Sequence, residues 1–184
     1  MALLVLAYPK IGQEDFEWIQ SLRIKYDQAH YNILRPHITL VFPFEDVAEN
    51  ELIEHVQAIA SKTTPLRFVL RGAALVYNHF EDCWHVFLIP DEGNSRILKL
   101  HDRLYTGILA DKWLLKVPYI PHITIATMRD CQECKDLTGE VNREGLEIGG
   151  MIEAIEIVGF VKGRIESIRR IGLTGDVTEC EDGN

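Results

Sequence analysis

Apolar and polar positions along this chain follow one order of elements twice. The run Ala2-Leu3-Leu4-Val5-Leu6-Ala7 reads as a first strand near 2–8, followed by a helix near 13–25 and a strand near 36–42. Leu52, Ile53, Val56, Ile59 and Ala60 then recur at helical spacing, which predicts an amphipathic helix near 46–62. Asp46 followed by Glu49 has the form of a capping box at its start, since each side chain can reach a free backbone N–H of the first turn. Strands near 66–71 and 73–78 close this half. The second half begins with a strand near 84–89. A helix near 94–110 follows, with Ile97, Leu98, Leu104, Tyr105 and Ile108 on one face. A strand near 121–127, a short helix near 130–142 and strands near 151–160 and 168–174 complete it. Residues 152–158 do not alternate cleanly between apolar and polar, which predicts a largely buried strand. Asn32, Pro90-Asp91-Glu92-Gly93 and Gly149-Gly150 punctuate the connections.

Both halves therefore read β-α-β-α-β-β. The fold class is α+β, as a single domain over 1–184 with pseudo-repeats of about 1–80 and 81–175 and an acidic, frayed tail over 176–184. The third element of each half carries the same four residues, Pro36-His37-Ile38-Thr39 and Pro121-His122-Ile123-Thr124. The histidines lie 85 positions apart, about half the chain. In a strand, residues two apart share a face, so each His stands beside its Thr while the Ile between faces the other layer. Two such strands would bring together two imidazoles that titrate near neutral pH and two hydroxyl donors. Those groups suffice for in-line chemistry at a phosphate without a metal. Proline before each His has a structural reading, since it can sit at the first position of a strand and biases its predecessor to an extended conformation.

Composition narrows this picture without redirecting it. With 47% hydrophobic and 26% charged residues in 184, the chain is an ordinary globular sequence. A net charge of −9 argues against binding long duplex nucleic acid, which needs many phosphate contacts, and leaves room for a small anion in a locally positive cleft. The first apolar run is too short for a secretory leader and no stretch reaches membrane-spanning length, so the expected location is the cytoplasm, with Cys83, Cys131, Cys134 and Cys180 reduced. Cys131-Gln132-Glu133-Cys134 lacks a second ligand pair for zinc. Cys131, Cys134, Leu137 and Val141 fall instead at helical spacing, as buried thiols would. His30, His55, His79, His85 and His101 follow no pairing pattern and read as structural or surface residues.

The paired His-x-Thr motifs resemble the two signatures of the 2H phosphoesterases, the superfamily that includes 2′-5′ RNA ligase-like proteins and cyclic nucleotide phosphodiesterases. The resemblance runs from the first strand through Leu173. It implies two pseudo-symmetric lobes around a central cleft holding both motifs. It also implies hydrolysis, or in some members formation, of 2′,3′-cyclic or 2′-5′ phosphoester bonds in nucleotides or RNA ends. Carried over by position, His37 and His122 would be the acid–base pair, and Thr39 and Thr124 would bind the phosphoryl oxygens. No cofactor or metal is expected, and the expected partner is a nucleotide or short RNA. The alternative is a module that binds phosphorylated RNA ends without turnover. Relatives commonly place an aromatic or basic residue near the last strand; here Arg164, Arg169 and Arg170 occupy that segment. Arg35 and Lys116 flank the motifs as further phosphate contacts or as solvated charges, and Phe44 and Tyr119 are candidates to stack a base or to fill the core.

Overall fold

A computed structural model describes residues 1–161 and 163–176. The tail expected to fray, with Cys180, lies outside the described residues, apart from Asp176. The elements run β1 (Ala2–Ala7), β2 (Lys10–Ile11), α1 (Gln13–Tyr26), α2 (Gln28–Tyr31), β3 (Ile38–Phe44), α3 (Glu49–Ala60) and β4 (Leu66–Asn78). They continue as β5 (Cys83–Glu92), α4 (Asn94–Leu104), a 3₁₀ turn (Gly107–Lys112), β6 (Ile123–Met128) and α5 (Cys131–Arg143). The last three strands are β7 (Ile148–Ile152), β8 (Ala154–Val161) and β9 (Arg164–Gly172).

Two antiparallel sheets result, ordered β3-β1-β8-β9 and β2-β7-β4-β5-β6. The duplication is visible in that order. Each motif strand, β3 or β6, lies at a sheet edge beside the first strand of its own half, β1 or β5. The next strand inward comes from the other half: β8 pairs with β1, and β4 pairs with β5. Each sheet is therefore shared by both halves of the sequence. The inner faces of the two sheets meet in one core, with Val5, Ile38, Leu40, Ile155 and Ile157 from the first and Phe68, Val86, Leu88, Ile123 and Ile148 from the second. A small separate cluster, Leu4, Leu6 and Val158, lies on the other face of the first sheet with Tyr8, Leu34 and Ile165.

Several local expectations are corrected. The helix expected from 46 starts at Glu49 with Ala48 at its N-cap and no side-chain cap, because Val47 turns in to pack on the core and Asp46 adopts φ 66°. Helix α4 stops at Leu104; Gly107, at φ 55°, breaks it, so Leu109 is buried in the 3₁₀ turn while Ile108 is exposed. The two strands expected over 66–78 are one strand, with a register irregularity between Leu70 and Gly72. The single strand expected over 151–160 is two, and the chain crosses from one sheet to the other at Glu153. That crossing explains the lost alternation, since both strand ends face apolar layers. Among the described residues, no helix is long and apolar enough to cross a membrane.

Candidate functional site

The two tetrapeptides are buried in the same pattern: Pro36 and Pro121 buried, His37 and His122 half-buried, Ile38 and Ile123 buried, Thr39 and Thr124 half-buried. Ile38 and Ile123 are fully enclosed in the main core, each contributing about 1.5–3 kcal/mol by burial. Anchored on that side, each strand must present its His and Thr on the opposite face.

Each imidazole is held the same way. His37 Nδ1 lies 2.8 Å from the Arg35 carbonyl, and His122 Nδ1 lies 2.5 Å from the Ile120 carbonyl. A carbonyl only accepts, so Nδ1 carries the proton in both rings and Nε2 is the nitrogen left free. The carbonyl two residues upstream belongs in both cases to the peptide bond preceding proline. An aromatic ring on the neighbouring strand or just beyond it braces each imidazole: Phe87 stacks on His122 with centroids 3.5 Å apart, and Tyr8 meets His37 edge-on at 6.1 Å. Burial pushes the pKa of each histidine down to about 4, against the opposing pull of its carbonyl bond. The Arg23 guanidinium lowers His37 further, and His37 itself lowers His122, so the two rings feel one another's charge.

The end of α1 joins the two motif strands. Arg23 and Asp27 form a buried ion pair at 3.3 Å, and Asp27 Oδ1 also holds His30 Nδ1 at 2.8 Å. The Thr127 hydroxyl on β6 helps to hold the Asp27 carboxyl below its ordinary pKa, while Arg23, Asp27 and His30 all act on the charge of His37. A second tie is Tyr119, whose hydroxyl donates to the Thr39 carbonyl at 2.9 Å.

These two His-x-Thr strands lie inside the segment, residues 11–164, that matches the family model described as the 2′-5′ RNA ligase superfamily. The chain belongs to that superfamily. A candidate phosphoesterase of Geobacillus sp. (strain WCH70) is 28% identical to it over 156 residues, covering 84% of this chain and 85% of the relative. Among solved structures, the TT0787 protein of Thermus thermophilus shares the fold with a TM-score of 0.59 at 18% identity, covering 96% of this chain and all of that one. Escherichia coli LigT, crystallised with NADP⁺, gives a TM-score of 0.56 at 17% identity, with 94% of this chain and 98% of that chain covered. The two-sheet α+β architecture with its paired halves is thus the superfamily's fold.

Within this superfamily fold the other expected residues fall as follows. Arg35 is exposed, with its guanidinium 4.4 Å above the Tyr8 ring, and Lys116 is exposed. Arg170 pairs with Glu156, which pairs with Leu6, which pairs with Thr39, so one row across the first sheet puts Arg170 on the face of the first motif. Arg169 pairs with Ile157, one position along, and Arg164 lies at the hairpin. Phe44 is core, and Tyr119 has one ring face covered by His101 at 3.5 Å. Cys134 is buried as expected, but Cys131, at the first helical position of α5, is exposed. A concavity of about 220 Å³ lined by Trp18, Lys25, Tyr26, Leu137 and Glu140 includes neither motif histidine.

Two of the histidines expected to be structural or surface residues have definite places. His101 donates Nδ1–H to the Leu40 carbonyl at 2.8 Å, closing part of the open edge of β3. His85 lies 3.0 Å from the Thr127 hydroxyl and stacks on Phe87, the ring that braces His122. The strand register could have flagged His85: it stands two positions before Phe87, on the same face.

Proposed function

We propose that this chain is a metal-independent phosphoesterase that hydrolyses 2′,3′-cyclic phosphate or 2′-5′ phosphodiester bonds of nucleotides or RNA ends. The observation that carries the reading is the matched pair of histidines, both tethered at Nδ1 and both free at Nε2. With an anion between them, one Nε2 takes a proton from the attacking water as that water bonds to phosphorus. The other, protonated at Nε2, gives its proton to the departing ribose oxygen. Each transfer is worth about 10²–10⁴ in rate. Thr39 and Thr124 donate their hydroxyls to the non-bridging oxygens, where charge builds in the transition state. Arg170, on the face of the first motif, suits a more distant phosphate of the same substrate. Support for a nucleotide comes from the same fold in LigT crystallised with 3′-AMP. The expected site is cytoplasmic.

One observation favours a second reading, a module that binds phosphorylated RNA ends without turnover. Burial leaves both rings neutral at pH 7 in the free protein, and a general acid must be protonated. An approaching phosphate supplies the missing bias, because a negative charge beside an imidazole favours its protonated form.

The test is turnover of 2′,3′-cyclic nucleotides, 2′-5′ dinucleotides and short RNAs ending in a cyclic phosphate, with chelator present, beside His37→Ala and His122→Ala. Turnover by the wild type, reduced at least about 10²-fold in each variant, supports the enzyme. Labelled ends held without conversion favour the binding module. Neither turnover nor binding would sink both.

A further inference from the structure

The β4–β5 hairpin holds a group of side chains that two-histidine chemistry leaves unused. Glu81, Cys83 and His85 each offer one ligand atom, and these atoms all lie within 4.8 Å of one another. We propose that they form a binding site for a thiophilic divalent cation of the zinc class, acting as a clasp on the hairpin beside the second motif. This proposal does not rest on the phosphoesterase reading.

The placement follows from the backbone. Cys83 and His85 are two apart on β5 and share a face. Glu81 comes from the turn, where Asp82 adopts φ 51° and is held by the Tyr77 hydroxyl, so the chain bends back and sets the carboxylate beside the thiol. Cys83 Sγ is then 3.8 Å from Glu81 Oε2 and 3.8 Å from His85 Nε2. A tetrahedral ion with bonds of about 2.0–2.3 Å spaces neighbouring donors roughly 3.5 Å apart. The two spacings to Cys83 need only close by a few tenths of an ångström, and the third pair of donors, Glu81 and His85, already lies within 4.8 Å.

The lone pairs also converge. Asn78 Nδ2 donates to His85 Nε2 at 3.2 Å, so Nδ1 carries the proton and donates it to the Thr127 oxygen at 3.0 Å. That fixes the His85 tautomer and turns an unprotonated Nε2 toward the thiol. An imidazole oriented from behind by a hydrogen-bonding oxygen is the supporting arrangement that metal-bound histidines use. Asn78 is turned the same way: its Oδ1 accepts from the Phe80 N–H, leaving Nδ2 between Glu81 Oε2 at 3.3 Å and His85 Nε2 at 3.2 Å. This amide is the group an entering cation displaces. Sulfur and imidazole together select zinc or cobalt over magnesium or calcium. Three protein ligands leave the fourth corner to water. On binding, Cys83 gives its proton to solvent and ligates as thiolate.

Cobalt(II) is the direct probe. The full-length protein, titrated anaerobically with Co²⁺, is expected to show a sulfur-to-cobalt charge-transfer band saturating at a single equivalent, displaced by Zn²⁺. The band should vanish in Cys83→Ser and persist in Cys131→Ser and Cys180→Ser. Glu81→Gln removes an exposed carboxylate and Thr127→Val a supporting hydroxyl; each is expected to weaken Co²⁺ binding by roughly 10–100-fold while circular dichroism stays native. Zn²⁺ should raise the unfolding midpoint of the wild type and not that of Cys83→Ser. Absence of the band in the wild type, its survival in Cys83→Ser, or its loss in Cys131→Ser would overturn the proposal. In any of those cases the trio is a hydrogen-bonded turn closed by Asn78.

Discussion

A histidine tethered at Nδ1 can trade protons only through Nε2, and that restriction has consequences at both motifs. Their pKa values near 4 in the folded protein compare with about 6.5 in an unfolded chain. Between those values the unfolded chain binds more protons, so stability rises with pH across the window. The contribution is fully present above about pH 6.5 and is lost as the pH falls toward 4. Urea midpoints measured from pH 7.5 to 4 should fall, and the His37→Ala/His122→Ala double variant should fall less steeply; equal slopes would mean the rings are not depressed. Binding has the opposite sign. A phosphate between the rings raises at least one pKa, so a nucleotide should take up a fraction of a proton near pH 6.5. Calorimetry in buffers of different ionisation heat reads that uptake directly. The His-x-Thr repeat itself was legible, because it follows from residue type and strand alternation alone. The tethers were not, since they depend on the turn of the backbone before each strand. Nor was the place of His85, whose partner Thr127 becomes meaningful only once the register of β5 and β6 is known.

At the scale of elements, the edge strand β3 shows how the first motif is steadied. Its outer backbone groups are taken by side chains: His101 on the Leu40 carbonyl, Tyr105 accepting from the Phe42 N–H, and Tyr119 on the Thr39 carbonyl. An unpaired edge invites association with other strands, and these three groups blunt it. Removing one hydroxyl in Tyr119→Phe should cost about 1 kcal/mol, read as a lowered urea midpoint. Gly93 caps α4 at φ 81°, and a Cβ there would stand 2.3 Å from the Arg67 carbonyl. Gly93→Ala should therefore destabilise by at least about 1–3 kcal/mol. Helix positions and most strands were readable from periodicity, because burial of one face leaves its period in the sequence. The start of α3 was misread: Asp46 and Glu49 have the right spacing, but packing of Val47 displaces the cap to Ala48. The cap that does form, Asp130 accepting from the Gln132 and Glu133 N–H groups, begins α5.

For the whole molecule, the sharing of strands between halves matters more than either lobe. Separate fragments ending and beginning at residue 80/81 would each lack strands the other supplies, since β4 belongs beside β5 and β8 beside β1. Expressed alone, each fragment should be largely unfolded by circular dichroism; mixed or co-expressed, they should recover a cooperative transition. A fragment that folds alone would contradict the need for exchange. The duplication was legible, because two halves of like pattern leave matched motifs. The exchange was not, because pairing partners so far apart leave no trace in local periodicity; only the broken alternation at 152–158 hinted at a change of sheet. The exchange also sets a timetable for the nascent protein. β1 leaves the ribosome before its inner neighbour β8, which begins at Ala154, and at about 5–20 residues per second that strand follows roughly 8–30 s later. Through that interval the inner side of β1 lacks the partner it has in the folded protein, so a holdase on the emerging chain should matter more for this protein than its modest length suggests.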